Sequence, residues 1–297
     1  MVLMMNDRVS PPHGPLQGIR VLSLALNLPG PAALMRLHDM GATCCKLEPP
    51  MGDPMRHYQA QAYADMHQGV RVVVADLKRA EGQHLLHQEL AHSDVLLTSF
   101  RPTALHKLGL SWESLQAVHP HVCMVSIVGA CGPRADEPGH DLTYMAEQDL
   151  VAGLHLPPTL YADMGGALAA SEAVLACLWA RSRDPHQCGV YREVGLSEAA
   201  GWLAKPRAWG LTLPTGQVGG AHAGYQVYAC ADGRVALAAL EPHFAQALCR
   251  VVGLPDTTPM NAAQTRAQLT AFFSQHTRQA LDALAATHDL PLHTLPA

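Results

Sequence analysis

The sequence predicts an α/β protein: a parallel sheet with helices on its faces, followed by a smaller α+β domain. Three observations carry this. First, short apolar, β-rich runs alternate with helical stretches through the first two thirds of the chain, the pattern of a parallel sheet. Second, the pattern changes over 204–224, a stretch rich in Gly and Pro, after which a hairpin signal and three helical stretches follow. Third, the 297 residues are 48% apolar and 15% charged, against a usual charged share of about 25%. Such a chain is not disordered and can bury a sizeable core. The predicted division is 1–198 and 199–297.

Taken in order, IRVLSLA (19–25) reads as a buried strand. Pro29-Gly30-Pro31 follows, and Pro31 suits the first turn of a helix that Gly41 stops. TCCKLE (43–48), RVVVADL (71–77), DVLLTSF (94–100) and HVCMVSIV (121–128) read as further strands. Lys78 to Ala91 is helical, with Leu85, Leu86 and Leu90 on one face, and two short helices fill 102–108 and 112–118. The strongest helix is Ala162 to Arg181, with Asp163 at its start, where a carboxylate can cap open N–H groups. Gly165 and Gly166 in its first turn point to a close approach to the backbone, since Gly is a poor helix former. Gly189 to Val194 reads as a strand, and Ser197-Glu198 opens a short helix. YQVYAC, Ala231-Asp232-Gly233 and RVALAAL read as a hairpin, and helices follow near 242–252, 262–275 and 277–287.

Composition excludes several function classes. The net charge is −5, and no block of Lys or Arg stands out, so nucleic acid is not an expected partner. The longest apolar stretch, Ala167 to Ala180, is interrupted by Ser171 and Glu172 and falls short of the about 20 residues of a bilayer span. The first residues, MVLMMNDRVSPPHG, lack the pattern of a signal peptide, and Met4 or Met5 is an alternative start. Eight cysteines, none in a CxxC pair, read as reduced thiols of a cytoplasmic protein. His84 and His87 share a helix face, but no HExxH or Cys/His set joins them, so no metal is expected.

No GxGxxG, Walker loop or GxSxG is present. Three local clusters remain. Gly139-His140-Asp141 follows the fifth strand, on the side where α/β sheets hold ligands. It is either a loop-steered histidine base or a surface histidine beside a capping aspartate. Asp163-Met164-Gly165-Gly166 is either a simple helix cap or a carboxylate beside N–H groups opened to an anion or thioester oxygen. Leu240-Glu241-Pro242 follows an apolar strand, as a helix cap or a site carboxylate. One histidine and two carboxylates suit proton abstraction or nucleophilic attack.

Six ordered stretches carry a resemblance that runs from about 18 to 293: GIRVLSLALNLPGPAALMRLHDMGATCCKLEPPMGDPMR (18–56), VVVADLKRAEG (72–82), SDVLLTSFRPTALHKLGL (93–110), PGHDLTY (138–144), ADMGGALAASEAVLACLWAR (162–181) and YACADGRVALAALEPHF (228–244). They closely resemble the class III CoA-transferase family (CaiB/BaiF type), and GHD and LEP are nearest its α-methylacyl-CoA racemase branch. The resemblance implies a Rossmann-like large domain and a smaller domain, with two subunits interlocked as a homodimer. It implies acyl-CoA as the substrate, with coenzyme A its only cofactor-like part. Asp163 matches the aspartate shared by both chemistries of the family, His140 the histidine of the racemase branch, and Glu241 its glutamate from the partner subunit. Lys46 and Arg101 match positions near the CoA phosphates, and Arg71 is retained nearby. The N–H groups after Asp163, at Gly165 and Gly166, would hold an enolate oxygen.

Two departures are visible. His67-Gln68-Gly69-Val70 stands where the family has Asn-Arg-Gly-Lys, and the chain stops at Ala297 where members usually continue for some tens of residues. The expected small domain is therefore C-terminally short. The expected activity is racemase-type α-proton transfer on a 2-methylacyl-CoA. The alternatives are CoA transfer between carboxylic acids through an aspartyl-CoA intermediate, and a non-catalytic CoA-binding remnant.

Overall fold

The computed structural model describes residues 14–297. The readings of the first residues, no signal peptide and a start at Met4 or Met5, lie outside them. The chain divides after Ala204 into two compact units. In the first, β1 (Arg20–Ser23), β2 (Thr43–Glu48), β3 (Arg71–Val74), β4 (Val95–Thr98), β5 (Cys123–Val128) and β6 (Tyr191–Gly195) form one six-stranded sheet of order β3-β2-β1-β4-β5-β6. Every pair is parallel; Val21 lies opposite both Cys44 and Val95, and Met124 opposite Tyr191. This is the doubly wound order, whose strand direction of travel reverses beside β1.

The strands are apolar on both faces because helices cover both. Val21, Val95, Leu97, Val125 and Ile127 pack beneath helices Pro29–Asp39 and Tyr161–Arg183. Leu22, Leu96 and Met124 face Leu86 and Leu90 of helix Ala80–Leu90 and Leu105 and Leu115 of helices Pro102–Lys107 and Trp112–Val118. The first helix begins at Pro29, two residues ahead of the expected start, because Pro29 itself takes the first turn. Gly30 is required there, as a Cβ would lie 2.1 Å from that of Ala25.

Three short helices had no sequence signal strong enough to mark them: Met55–Tyr58, Ala60–Met66 and Asp141–Glu147. The Gly/Pro-rich stretch read as a linker holds helix Lys205–Ala208 and a wide turn over Gln217–Ala221.

In the second unit, β7 (Tyr225–Cys230), β8 (Gly233–Ala238) and β9 (Leu292–Leu295) form an antiparallel sheet. The β7–β8 hairpin follows the sequence reading; β9 does not appear in it. Helices Pro242–Val252, Ala263–Ser274 and Arg278–His288 cover one face, burying Tyr228, Val235, Leu237, Leu269, Phe273 and Leu281. Among the described residues no helix is long and apolar enough to cross a membrane.

Candidate active site

A cleft of about 740 Å³ opens beyond the carboxyl ends of β1, β4 and β5, within the first unit. Leu26 to Leu28 leave β1, Ser99 and Arg101 leave β4, and Gly129 leaves β5. His140, Asp141, Tyr144 and Asp163 complete it, and Met55, Tyr58 and Gln59 form a further wall. Two of the three expected catalytic groups, His140 and Asp163, therefore share one cleft.

His140 is the exposed N-cap of helix Asp141–Glu147. Its N–H donates to Thr143 Oγ1 at 3.0 Å, and Thr143 Oγ1 donates back to the His140 carbonyl at 2.7 Å. The preceding Gly139 lets the Tyr144 ring lie against the backbone, because a Cβ there would lie 2.5 Å from the Tyr144 hydroxyl. The next residue, Asp141, is buried, and its Oδ1 accepts the Asp163 backbone N–H at 3.0 Å. One hydrogen bond thus links the start of the histidine helix to the start of the aspartate helix.

Asp163 lies in the first turn of helix Tyr161–Arg183. Its carboxyl is pushed up to about 6, chiefly by burial and further by the Asp141 carboxylate, while His140 pulls it down. At neutral pH such a group is mostly ionised yet holds a proton about one time in ten. It can both give and take a proton near neutrality. Tyr144 lies against the same charges: burial raises its phenol, Asp163 adds to that, and Arg101 opposes it.

The remaining expected residues divide. Arg101 is exposed and lines the cleft, where a guanidinium suits a phosphate. Lys46 does not present its charge there. It is fully buried, with Nζ 2.5 Å from Asp53 Oδ2, 3.3 Å from Glu48 Oε1 and 2.9 Å from His67 Nε2. A cation already neutralised by two carboxylates in the core does not reach a ligand phosphate. Arg71 stands at the amino end of β3, opposite to the end where the cleft opens, and pairs with Glu89 at 2.5 Å.

The readings of Gly165 and Gly166 change as well. The close approach is real, but its partner is helix Leu196–Leu203: a Cβ on Gly165 would lie 3.1 Å from Leu203, and one on Gly166 2.3 Å from Leu196. The helix begins at Tyr161, so the Met164 N–H already bonds the Leu160 carbonyl at 3.0 Å. Gly165 and Gly166 follow inside the helical ladder, and their N–H groups are not open to an enolate oxygen. Asp163, likewise, is not the N-cap; Leu160 holds that position.

Glu241 belongs to the second unit, exposed at the N-cap of helix Pro242–Val252, and its side chain makes no cap hydrogen bond. In that same unit Gly220 adopts φ 133°, and Gln226 Nε2 donates to its carbonyl at 2.9 Å. His84 bonds Gln88, and His87 Nδ1 meets His119 Nε2 at 3.0 Å. Among the described residues one Asp/Glu/His cluster has metal-like spacing, Glu48, Asp53 and His67, and the Lys46 ammonium already serves as its cation.

Sequence reasoning missed Asp141 as a site group, treating it as a cap, although it adjoins His140. It also missed the wall at Met55, Tyr58 and Gln59, whose signal was Pro54 ahead of a short helix.

The sequence and the fold match a known family. The model of CoA-transferase family III fits residues 16–295. The probable fatty acyl-CoA transferase Rv3272 of Mycobacterium tuberculosis is 30% identical over 279 residues, covering 83% of this chain and 71% of the relative. The alpha-methylacyl-CoA racemase of Mus musculus is 30% identical over 255 residues, covering 80% and 65%. The succinyl-CoA--D-citramalate CoA-transferase of Chloroflexus aurantiacus is 32% identical, and the match spans 63% of this chain and 50% of that relative. A CAIB/BAIF family protein from Brucella suis superposes with a TM-score of 0.79 at 26% identity, covering 96% and 84% of the two chains. The crystal structure of Rv3272 gives 0.83 at 25% identity, covering 95% and 84%. The chain belongs to CoA-transferase family III, an enzyme family with the CaiB/BaiF fold.

Proposed function

We propose that the protein catalyses racemase-type α-proton transfer on a 2-methylacyl-CoA or similar thioester. The observation that carries this reading is the pairing of His140 with Asp163 in one cleft, with the Asp163 carboxyl pushed up to about 6. A thioester α-proton is weakly acidic. One group must remove it from one face while a conjugate acid returns a proton to the other. In one direction His140 takes the α-proton, the electron pair spreads onto the thioester oxygen, and the Asp163 carboxylic acid delivers a proton to the opposite face. In the reverse direction the roles exchange. Arg101 would bind a CoA phosphate. Glu241 is proposed as a further site carboxylate on the family resemblance alone.

The alternative is CoA transfer, in which Asp163 accepts CoA as an aspartyl thioester and passes it to an acceptor acid. It is supported by the transferase names among the relatives and by burial of the Asp163 carboxylate, which makes it more basic. A homodimer and a cytoplasmic location complete the proposal. Met164, Leu168, Leu175 and Trp179 form an exposed apolar stripe along helix Tyr161–Arg183 that suits a second copy.

The test is mass spectrometry of acyl-CoA thioesters incubated with the protein in heavy water, with carboxylic acid acceptors present. Deuterium at the α-carbon without acyl exchange is the expected result. New acyl-CoA species without α-deuterium would instead establish transfer. Neither product from a folded protein that binds acyl-CoA would leave a non-catalytic binding protein.

A further inference from the structure

Beneath the cleft lies a group of charged side chains that the proton-transfer chemistry does not use. Lys46, Glu48 and Asp53 are each at most 1% exposed. The Lys46 ammonium contacts both carboxylates and His67. His67 Nδ1 lies 2.6 Å from the Tyr63 carbonyl, which can only accept, so Nδ1 carries the proton and Nε2 accepts from Lys46. The Tyr63 hydroxyl donates to Glu48 Oε1 at 2.7 Å. His67, at a departure from the family pattern, is thus a neutral acceptor that completes the ammonium's shell.

Burying charge in this way is costly before pairing, so such a cluster is weak evidence of a stability role. What it holds is more informative. Both Asp53 oxygens accept the Asn27 N–H, at 3.2 and 3.1 Å, and Oδ1 also accepts the Met55 N–H at 2.9 Å. Asn27 sits at φ 64°, a left-handed turn that Asn tolerates better than other non-glycine residues and that a β-branched residue resists. Leu26, Asn27 and Leu28 line the cleft on one side of Asp53, and Met55 and Tyr58 on the other. One buried carboxylate therefore ties two separate segments into a single wall.

We propose that Asp53 is a positioning residue: paired with Lys46, it fixes the Asn27 turn and the Met55 helix as the cleft wall that faces the acyl-CoA, an inference that rests on the acyl-CoA reading above. The wall touches ligand but not the reacting atoms, so its loss weakens binding.

The experiment is calorimetric titration of the full chain with 2-methylhexanoyl-CoA, in wild type, Asp53→Asn and Asn27→Val. Asp53→Asn removes the charge at constant size. Asn27→Val opposes the left-handed turn from an exposed position, while every side chain of the ionic cluster stays as it is. Both are expected to weaken Kd by about tenfold or more at unchanged stoichiometry, the scale of one charge-assisted contact. A merely structural residue would give the opposite signature, an unchanged Kd with fewer competent molecules, and that result overturns the proposal. So does a wild-type Kd in Asn27→Val. Hydrogen exchange of residues 24–30 is read in parallel without ligand. Faster exchange confined to that segment in Asp53→Asn is expected, and unchanged exchange refutes the positioning role. A wild type that binds no acyl-CoA would refute the functional reading instead, while the exchange measurement still decides the role of Asp53.

Discussion

The backbone N–H of Asp163 donates to the carboxylate of Asp141, the residue that follows His140. The contact ties the start of the Asp163 helix to Asp141, and the Asp141 charge adds to the burial that raises the Asp163 carboxyl. Asp141→Asn keeps an acceptor for the N–H but removes the charge. The Asp163 carboxyl should then titrate below about 6, moving the acid limb of kcat/KM to lower pH. A pH–rate profile checks this. Asp141→Ala removes the acceptor as well and should cost turnover more than the Asn variant does.

The same raised carboxyl makes the two candidate chemistries separable by pH. Racemase-type transfer needs one proton shared between His140 and Asp163. Its profile should fall on both sides, where the pair takes up a second proton and where it loses the shared one. Transfer by an Asp163 nucleophile needs only the carboxylate. It should rise through about 6 and stay level above. Rates measured from pH 5 to 9 distinguish the shapes.

Asp163 also bears on stability, with a definite sign. Its folded value of about 6 lies above the ordinary 3.8, so the folded state holds more protons between those values. Stability from this group is fully present below pH 3.8 and is lost as pH rises through about 6. Asp163→Asn escapes that loss. It should be more stable than wild type at pH 7 to 8 by roughly 1–3 kcal/mol, with no difference near pH 3.5. Denaturant unfolding at the two pH values measures the gap.

Removing Lys46 should do the reverse. Lys46→Met preserves side-chain bulk but leaves Glu48 and Asp53 buried without their ammonium. A loss of about 3–5 kcal/mol is expected, as for other buried pairs broken on one side. Chemical denaturation of the variant reads it directly.

Much of this fold was written in local pattern. RVLS, TCCKLE and CMVSIV carry apolar residues at successive positions and are buried at nearly every one, which a sheet covered on both faces explains. The hairpin at Ala231-Asp232 was equally plain. Helix Met55–Tyr58 was not, because a single turn has no periodicity to detect. In the site, His140 and Asp163 were legible from their motifs, but their neighbours were not. Lys46 was assigned to the CoA phosphates by the family resemblance alone, and a matched position does not tell that Glu48 and Asp53 pair with its ammonium in the core. Gly165 and Gly166 signalled a close approach correctly, yet only packing reveals that the neighbour is Leu196 and Leu203 rather than a ligand.

Helix Tyr161–Arg183 is the crossover that carries the chain from β5 to the edge strand β6. On the ribosome, a nascent chain that has emerged as far as residue 160 already contains five of the six parallel strands and the whole histidine motif. It still lacks Asp163, the carboxylate that shares the cleft with His140. The lining of the cleft is therefore complete only once the crossover helix and Leu196 beyond it have been made. A fragment that ends there would hold the Arg101 and His140 sides of the cleft without the Asp163 carboxylate.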